Sequence, residues 1–325
     1  MSVNIDNLRA CVDLVDAELV ATSAALTESR AAHAATAAEL SETLALLAVA
    51  EARIAELEAQ IGGPVDPPAV PLLVGATVVP ATGESWLQAT ARFESLIGKP
   101  ITVARRFLGS APLLPFSSYG QFAADVGRRD RWVSFKGDPT DAQLEAFIRS
   151  IPVDGHTTGV AWNHEPENDG GVMTPAYFRA RQARLLAVIR KVNRPDVYPM
   201  VVLMGWLEND GIASTTSAAW FPDEPAEWVL GVDFYDDKAN RTYAQLATQT
   251  LDLWALAGGI RWAATEFGTA RTGTSAATWI TEYGQFARTR PGCIGGAWFD
   301  STIGIGQPLA ARGPEAVAAY AALIP

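Results

Sequence analysis

Eight short runs of apolar and β-branched residues recur at intervals of roughly 30 residues through the last 250 or so residues of this chain. Runs of this length, bounded by turn residues, are typical of buried β-strands. They occupy residues 72–79, 101–108, 131–136, 157–162, 197–204, 228–235, 260–267 and 293–299. This spacing is the strongest constraint on the fold, because each strand is followed by enough chain to form a helix.

Amphipathic segments lie between most of these runs. Examples are SWLQATARFESLIG, PTDAQLEAFIRSI, TPAYFRARQARLLAVIRKVN and TYAQLATQTLDLWALAGG, and a final helix, PEAVAAYAALI, follows the eighth run. Residues 208–227 show no convincing helical pattern and predict a long loop with a short turn. The alternation predicts an α/β fold, a (β/α)8 TIM barrel preceded by an N-terminal helix. A doubly wound open sheet is the alternative, but no glycine-rich phosphate loop opens any helix.

Composition changes sharply near residue 62. Trp, Tyr, Phe, Gly and Pro are absent before it, whereas all ten tryptophans follow it. We therefore divide the chain into an oligomerising coiled coil (1–62), a Gly/Pro linker (63–71) and the barrel (72–325).

A seven-residue period runs through the first segment. One heptad position, a, holds Ile5, Val12, Leu19, Leu26, His33, Leu40, Leu47, Ile54 and Ile61, and position d holds Leu8, Val15, Thr22, Ser29, Thr36, Thr43, Ala50 and Leu57. A 3.5-residue seam predicts a left-handed coiled coil about 85 Å long at 1.5 Å per residue. Because one helix cannot bury this stripe alone, we expect an oligomer. The strand number does not follow from these residues, although a large head on a fibrous stalk favours a homotrimer.

Polar residues interrupt the middle of this seam. His33 is either an ion ligand on the axis or part of a tolerated polar layer that fixes the register.

The net charge of −11 argues against a nucleic-acid partner. Cys11 and Cys293 lie in segments of different character, so no disulfide framework is indicated. No run approaches the roughly 18 apolar residues of a membrane helix, which predicts no membrane insertion. The N-terminus has neither the basic region nor the apolar region of a secretory signal.

In a barrel of this kind, chemistry is built from the C-terminal ends of the strands. Those ends carry Arg105, Arg106, Lys136, Asn163, His164, Glu165, Trp206, Asp233, Tyr235, Glu266, Trp298 and Asp300. Glu165 and Glu266 end the fourth and seventh strands, on opposite sides of the barrel mouth. Hydrolysis of a glycosidic bond needs two carboxyl groups, and a separation of about 5–5.5 Å goes with a nucleophile and retention of configuration. Arg and Tyr donors are expected to hold Glu266 as the ionised nucleophile, while burial keeps Glu165 protonated as the acid.

These motifs resemble the clan A glycoside hydrolases, and within that clan the β-mannanase family 26. His164 directly precedes Glu165, as a histidine precedes that family's acid/base residue. GVDFY (231–235) is similar to the strand-six motif ending in a tyrosine beside the nucleophile, TEFG (265–268) to the nucleophile strand and AWFD (297–300) to the strand-eight tryptophan. The resemblance covers about residues 72–325 and implies Glu165 as acid/base, Glu266 as nucleophile, and Tyr235 and Trp298 as supporting residues.

Structural roles remain open for several of these residues. Glu165 could be a loop carboxylate, and Glu266 could only pair with Arg105 or Arg106. Three tryptophans, Trp162, Trp206 and Trp298, suit either packing or stacking on sugar rings. His164 and Asn163 are expected to support the acid. Glu167 and Asp169 are expected to be solvated, and no metal or other cofactor is expected.

A glycan-binding barrel on an oligomeric stalk looks like a minor tail or receptor-binding protein of a phage that infects actinobacteria. A chain without an export signal would then be assembled into the virion tail in the host cytoplasm and meet cell-surface polysaccharide after lysis. Its partners would be that polysaccharide, further copies of itself and other tail proteins. Three functions remain: a retaining glycosidase, a catalytically silent glycan-binding adhesin and a structural component of the tail tip.

Overall fold

The computed structural model describes residues 14–16, 18–30, 32, 33, 36, 41, 72–110, 112–169, 173–205, 207, 216–301 and 308–325. The chain divides into two compact units, Met1–Ala69 and Val70–Pro325. Among the described residues, no helix combines the length and the apolar character needed to span a bilayer.

The described residues of the first unit are helical and exposed. Leu19 and Leu26, at heptad position a, are 68% and 51% exposed in the single chain. His33 Nδ1 lies 2.9 Å from the carbonyl oxygen of Ser29, one turn earlier in the same helix. The other a positions and the linker 63–71 lie outside the described residues, and the coiled coil and its trimeric state stay predictions.

The second unit is a closed barrel of eight parallel strands, which confirms the predicted fold class. Each strand pairs with the next along the chain, and the eighth closes the barrel against the first. The strands are β1 (Leu73–Val78), β2 (Val103–Phe107), β3 (Asp130–Phe135), β4 (Thr158–Trp162), β5 (Val197–Met204), β6 (Val229–Asp236), β7 (Arg261–Thr269) and β8 (Cys293–Asp300).

Helices cover the outside of the barrel. They are α1 (Trp86–Ile97), α2 (Asp141–Ser150), α3 (Pro175–Val192), α4 (Tyr243–Leu256), α5 (Gly273–Thr289) and α6 (Pro314–Ala321). Capping boxes begin three of them, at Ser85, Thr140 and Thr242. Short 3-10 turns stand between β2 and β3 and, over the described part of 208–227, between β5 and β6.

Two apolar layers hold the barrel together. The interior is filled by small and large side chains that alternate around the strands, including Val103, Trp132, Met200 and Ala297. The larger layer lies between the strands and the helices. Successive residues of a strand therefore enter different layers, and this alternation decides which strand-end residues reach the mouth.

Candidate active site

Three carboxyl groups meet at the C-terminal mouth of the barrel. One carboxylate oxygen from each of Glu165, Asp233 and Glu266 lies within 4.8 Å of the others. The two glutamates therefore approach each other closely, and their role as a retaining pair stays a prediction. Asp233, on β6 between them, makes the group a cluster of three.

Glu165 is directed to the mouth by an unusual turn after β4. Asn163 and Glu165 both adopt left-handed backbone conformations, with φ of 59° and 51°. Such values are uncommon for residues other than glycine, and this loop holds two of them. The Glu165 amide donates to the carbonyl of Val202 on β5 (2.9 Å), and Asn168 Nδ2 donates to Glu165 Oε2 (3.3 Å).

Glu266 reaches the barrel interior through an irregularity in β7. The pairing with β6 steps from Gly231↔Ala263 to Asp233↔Glu266, so β7 carries one extra residue. As a consequence two consecutive residues face inward: Thr265 donates to Asp233 Oδ1 (2.6 Å), and Glu266 meets Tyr235. A simple two-residue alternation does not place Glu266 there.

One hydrogen-bond donor and one cation lie against the Glu266 carboxylate. Tyr235 donates its hydroxyl to Oε2 at 2.5 Å, and Arg105 Nε lies 4.0 Å from Oε1. Arg105 also donates to Ser134 Oγ (2.8 Å), while its Nε and Nη2 are buried without a hydrogen-bond acceptor among the described residues. Tyr235 and Arg105 are thus placed as the sequence predicted.

Burial controls the protonation of this cluster. It raises the pKa of Glu266 to about 7, because desolvation outweighs the opposing effects of Arg105 and Tyr235. Burial, with the charges of Glu266 and Glu165, also raises the pKa of Asp233 well above its usual value. This burial, which leaves Glu266 only 4% exposed, opposes the ionisation that the sequence predicted for it, while Glu165 is half-buried.

His164 lies on the Arg105 side of the mouth. Its ring packs against Phe107 with centroids 5.0 Å apart. Burial and the nearby charges of Arg105 and Lys136 lower the pKa of His164 well below its usual value, so the imidazole is neutral at pH 7. Lys136 itself forms an ion pair with Asp169 at 2.5 Å.

Asn163 supports the loop from the side of α3. Its Oδ1 accepts from Arg181 Nη1 and its Nδ2 donates to Asp169 Oδ2, each over 3.0 Å. The oxygen and the nitrogen of the side-chain amide thus bond to α3 and to the loop, so Asn163 holds the loop from the side away from the mouth.

Three predicted site residues face the helices instead. Arg106 is fully buried and donates two hydrogen bonds of 2.8 Å to Asp125. Trp162 is buried, donates to the Gly137 carbonyl and lies beneath the guanidinium groups of α3. Trp298 is fully buried against Phe267 and Tyr320. This burial corrects the assignment of all three to the substrate site and favours the packing role that the sequence left open for the two tryptophans, because adjacent residues of a strand point to opposite layers. Trp206 lies outside the described residues.

Two phenylalanines, each next to one of these outward-facing residues along its strand, lie at the mouth. Phe107 follows Arg106 and Phe299 follows Trp298, and both phenylalanines are half-buried. Phe299 packs edge-on against Tyr235, and the Arg105 guanidinium lies 4.4 Å from the Phe107 ring centre. Asp300 turns away, accepting from the Leu309 amide (2.7 Å).

The loop acids are more than solvated charges. Asp169 holds Lys136 and Asn163. Glu167 accepts a hydrogen bond from the Met204 amide of β5, and burial raises its pKa to about 8. The expectation of a solvated acid is therefore wrong for Glu167, whereas Asp169 is partly exposed and paired.

The same three carboxyl groups are close enough to ligate a cation, with Arg105 beside Glu266 as a competing positive charge. The expected absence of a metal or cofactor stays a prediction.

Solved glycoside hydrolases share this fold. An endo-β-1,4-glucanase (Xac0030) of Xanthomonas axonopodis pv. citri, carrying a triple mutation, superposes with a TM-score of 0.54 at 13% identity, covering 77% of this chain and 99% of the glucanase. XacCel5A in complex with cellopentaose gives 0.56 at 12%, covering 78% and 99%. A glucosidase from Croceicoccus marinus gives 0.52 at 11%, covering 78% and 67%.

No protein-family model and no curated protein matches the sequence. Because the structural similarity lies at 11–13% identity, it shows the barrel fold alone, and membership of family 26 stays a prediction.

Proposed function

We propose that this protein hydrolyses a polysaccharide with retention of anomeric configuration, using Glu266 as nucleophile and Glu165 as acid/base. The observation that carries the proposal is the approach of their carboxylate oxygens to within 4.8 Å at the mouth of the barrel. So close an approach of the oxygens favours direct attack by a carboxylate over activation of an intervening water.

The reaction proceeds in two displacements. Glu266 attacks the anomeric carbon while Glu165 transfers its proton to the glycosidic oxygen, which leaves as an alcohol. Glu165 then removes a proton from water, the water oxygen attacks the glycosyl ester, and the Glu266 carboxylate is released. Each turnover returns both groups to their starting protonation states.

The surrounding residues support the nucleophile. Tyr235 and Arg105 stabilise the Glu266 carboxylate, while burial opposes its ionisation. Burial and the charge of Glu266 raise the pKa of Asp233 well above its usual value, which opposes a second negative charge beside Glu266. Phe107 and Phe299 offer aromatic faces for sugar rings at the mouth.

The substrate class is cell-envelope polysaccharide, and the family 26 resemblance makes β-mannan the first soluble glycan to test. The N-terminal helix acts as a trimeric stalk that holds the barrel on a phage tail, with the virion as its location. The exposed apolar seam residues Leu19 and Leu26 support oligomerisation, because such a stripe needs a partner helix. The other tail proteins are further partners.

Release of reducing ends from β-mannan and from purified actinobacterial envelopes tests the enzyme against the adhesin. The wild-type chain, Glu266→Gln and Glu165→Gln are compared, with exposed Glu224→Gln as the matched control. We expect release by wild type and control, and a loss of several powers of ten in Glu266→Gln. Envelope binding by all four proteins without release by any would establish the adhesin, and neither binding nor release would leave only the structural role.

A further inference from the structure

The loop that carries Glu165 is attached to β5 through a second acid, Glu167. Residues Pro166–Asn168 form a single 3-10 turn directly after Glu165. From this turn the Glu167 carboxyl reaches β5, where Oε1 accepts a hydrogen bond from the Met204 amide. Its Oε2 is buried and has no hydrogen-bond partner among the described residues.

Two contacts two residues apart fix this loop along β5. The Glu165 amide donates to the Val202 carbonyl, and the Met204 amide donates to Glu167. Val202 and Met204, two alternate residues on one edge of β5, therefore hold both ends of the segment 165–167. A parallel strand beside β5 would be held by the same two backbone groups. The Glu167 carboxyl takes the place that a backbone carbonyl would have in such a ladder.

The charges around Glu167 favour its neutral form. From its own loop, Glu165 and Asp169 face it with negative charge, while the Met204 amide of β5 donates to it and opposes their effect. Lys136, which follows β3, is paired with Asp169. Burial and these two acids raise the pKa of Glu167 to about 8, against its usual 4.5.

We propose that Glu167, as a neutral carboxylic acid, is a positioning residue that holds the loop of Glu165 against β5 and so places the acid/base carboxyl opposite Glu266. The inference rests on the proposed function of Glu165. Glu167 does not touch the reacting atoms; it acts through the backbone on either side of Glu165.

Two substitutions separate the hydrogen bond from the charge. Glu167→Gln keeps an oxygen for the Met204 amide and mimics the neutral acid, whereas Glu167→Ala removes the contact. At about pH 6 we expect Glu167→Ala to lower kcat roughly 10- to 100-fold with little change in KM, because a small displacement of the acid costs that much. Glu167→Gln should restore most of kcat. Equal kcat in Glu167→Ala and wild type, or equal loss in both variants, would overturn the proposal.

Thermal unfolding gives a readout that is independent of turnover. Since the folded-state pKa of Glu167 lies above its unfolded value, wild type loses stability as the pH rises from about 5 to about 8. Glu167→Gln does not titrate, so its Tm advantage over wild type should grow across that interval. The exposed control Glu224→Gln should show no such growth.

The two measurements distinguish the inference from the function it rests on. If wild type cleaves no glycan, the proposed function fails, and the pH-dependent Tm difference alone decides whether neutral Glu167 anchors the loop. A Tm difference that stays constant with pH would show that Glu167 is not held as a neutral acid and would contradict the proposal in either case. Turnover in wild type with unchanged kcat in Glu167→Ala would refute the positioning role and leave the glycosidase intact.

Discussion

Tyr235 donates its hydroxyl to Glu266 Oε2 across the boundary between β6 and β7, at 2.5 Å. The register of the two strands sets this contact, because the extra residue in β7 brings Asp233 and Glu266 level. Burial and the Glu266 charge raise the pKa of Tyr235 well above its usual value, so the phenol keeps the proton that it donates. The hydrogen bond from Tyr235 on the adjacent strand thus favours ionisation of the buried Glu266 carboxyl.

The pH dependence of kcat/KM follows from this contact. The pKa of Glu266 is about 7 in the free protein, so kcat/KM should fall as the pH drops below about 7 and the nucleophile becomes protonated. Tyr235→Phe removes a hydrogen bond that lowers this pKa, and it should move the acid limb to higher pH and reduce kcat roughly 10- to 100-fold. Tyr243→Phe is the control, because the Tyr243 hydroxyl is buried without a partner among the described residues. An acid limb that is the same in Tyr235→Phe and wild type would refute the role of this hydrogen bond.

Neighbouring arginines on β2 should give opposite phenotypes. Arg105→Met removes a charge that lowers the pKa of Glu266, so kcat/KM at neutral pH should drop while the protein stays folded. Arg106→Met leaves the buried Asp125 carboxylate without its main partner and should cost about 3 kcal/mol in the free energy of unfolding. Urea unfolding and steady-state kinetics measure the two effects, and an Arg106→Met protein of normal stability with lost activity would contradict the assignment.

Substitutions of the two adjacent aromatic residues at the end of β8, Trp298 and Phe299, should also have different effects. Trp298→Ala opens a cavity in the layer beneath the helices and should cost about 3–5 kcal/mol of stability. Phe299→Ala should weaken glycan binding by about 1 kcal/mol with little loss of stability. Calorimetric titration in the Glu266→Gln background measures binding without turnover. A Trp298→Ala protein that is stable but binds glycan more weakly would contradict the assignment of Phe299, and not Trp298, to the mouth.

The stalk should set the oligomeric state. Light scattering on the full chain should give a mass near three times the 34.6 kDa of one chain, and a chain beginning at residue 66 should be monomeric. Two monomeric proteins would exclude the coiled coil, and a dimer or tetramer of the full chain would correct only the number of strands.

The barrel could be predicted because its signals are local. Apolar runs mark the strands, and capping residues such as Ser85 and Thr140 mark helix starts. The two glutamates could be placed at the mouth because they follow such runs.

The side of the barrel wall to which each strand residue points was harder to predict than the strands themselves. Strands of a parallel barrel are buried on both sides, so a run such as AWFD carries no alternation to show whether Trp298 or Phe299 faces inward. The same ambiguity assigned both Arg105 and Arg106 to the site. The extra residue of β7 breaks the alternation before Glu266. The burial of Glu167 depends on a loop in which Glu165 is left-handed, and a glutamate gives no local signal of that conformation.

The anomeric configuration of the first-formed product distinguishes the proposed mechanism from its inverting alternative. Proton NMR of wild-type protein acting on the glycan that it cleaves would follow the new reducing-end anomer before mutarotation. With Glu165 and Glu266 at the observed separation, the product should keep the configuration of the bond that was broken, and Glu266→Gln should form none. A first-formed product of inverted configuration would contradict the covalent role of Glu266 and the proposed mechanism with it.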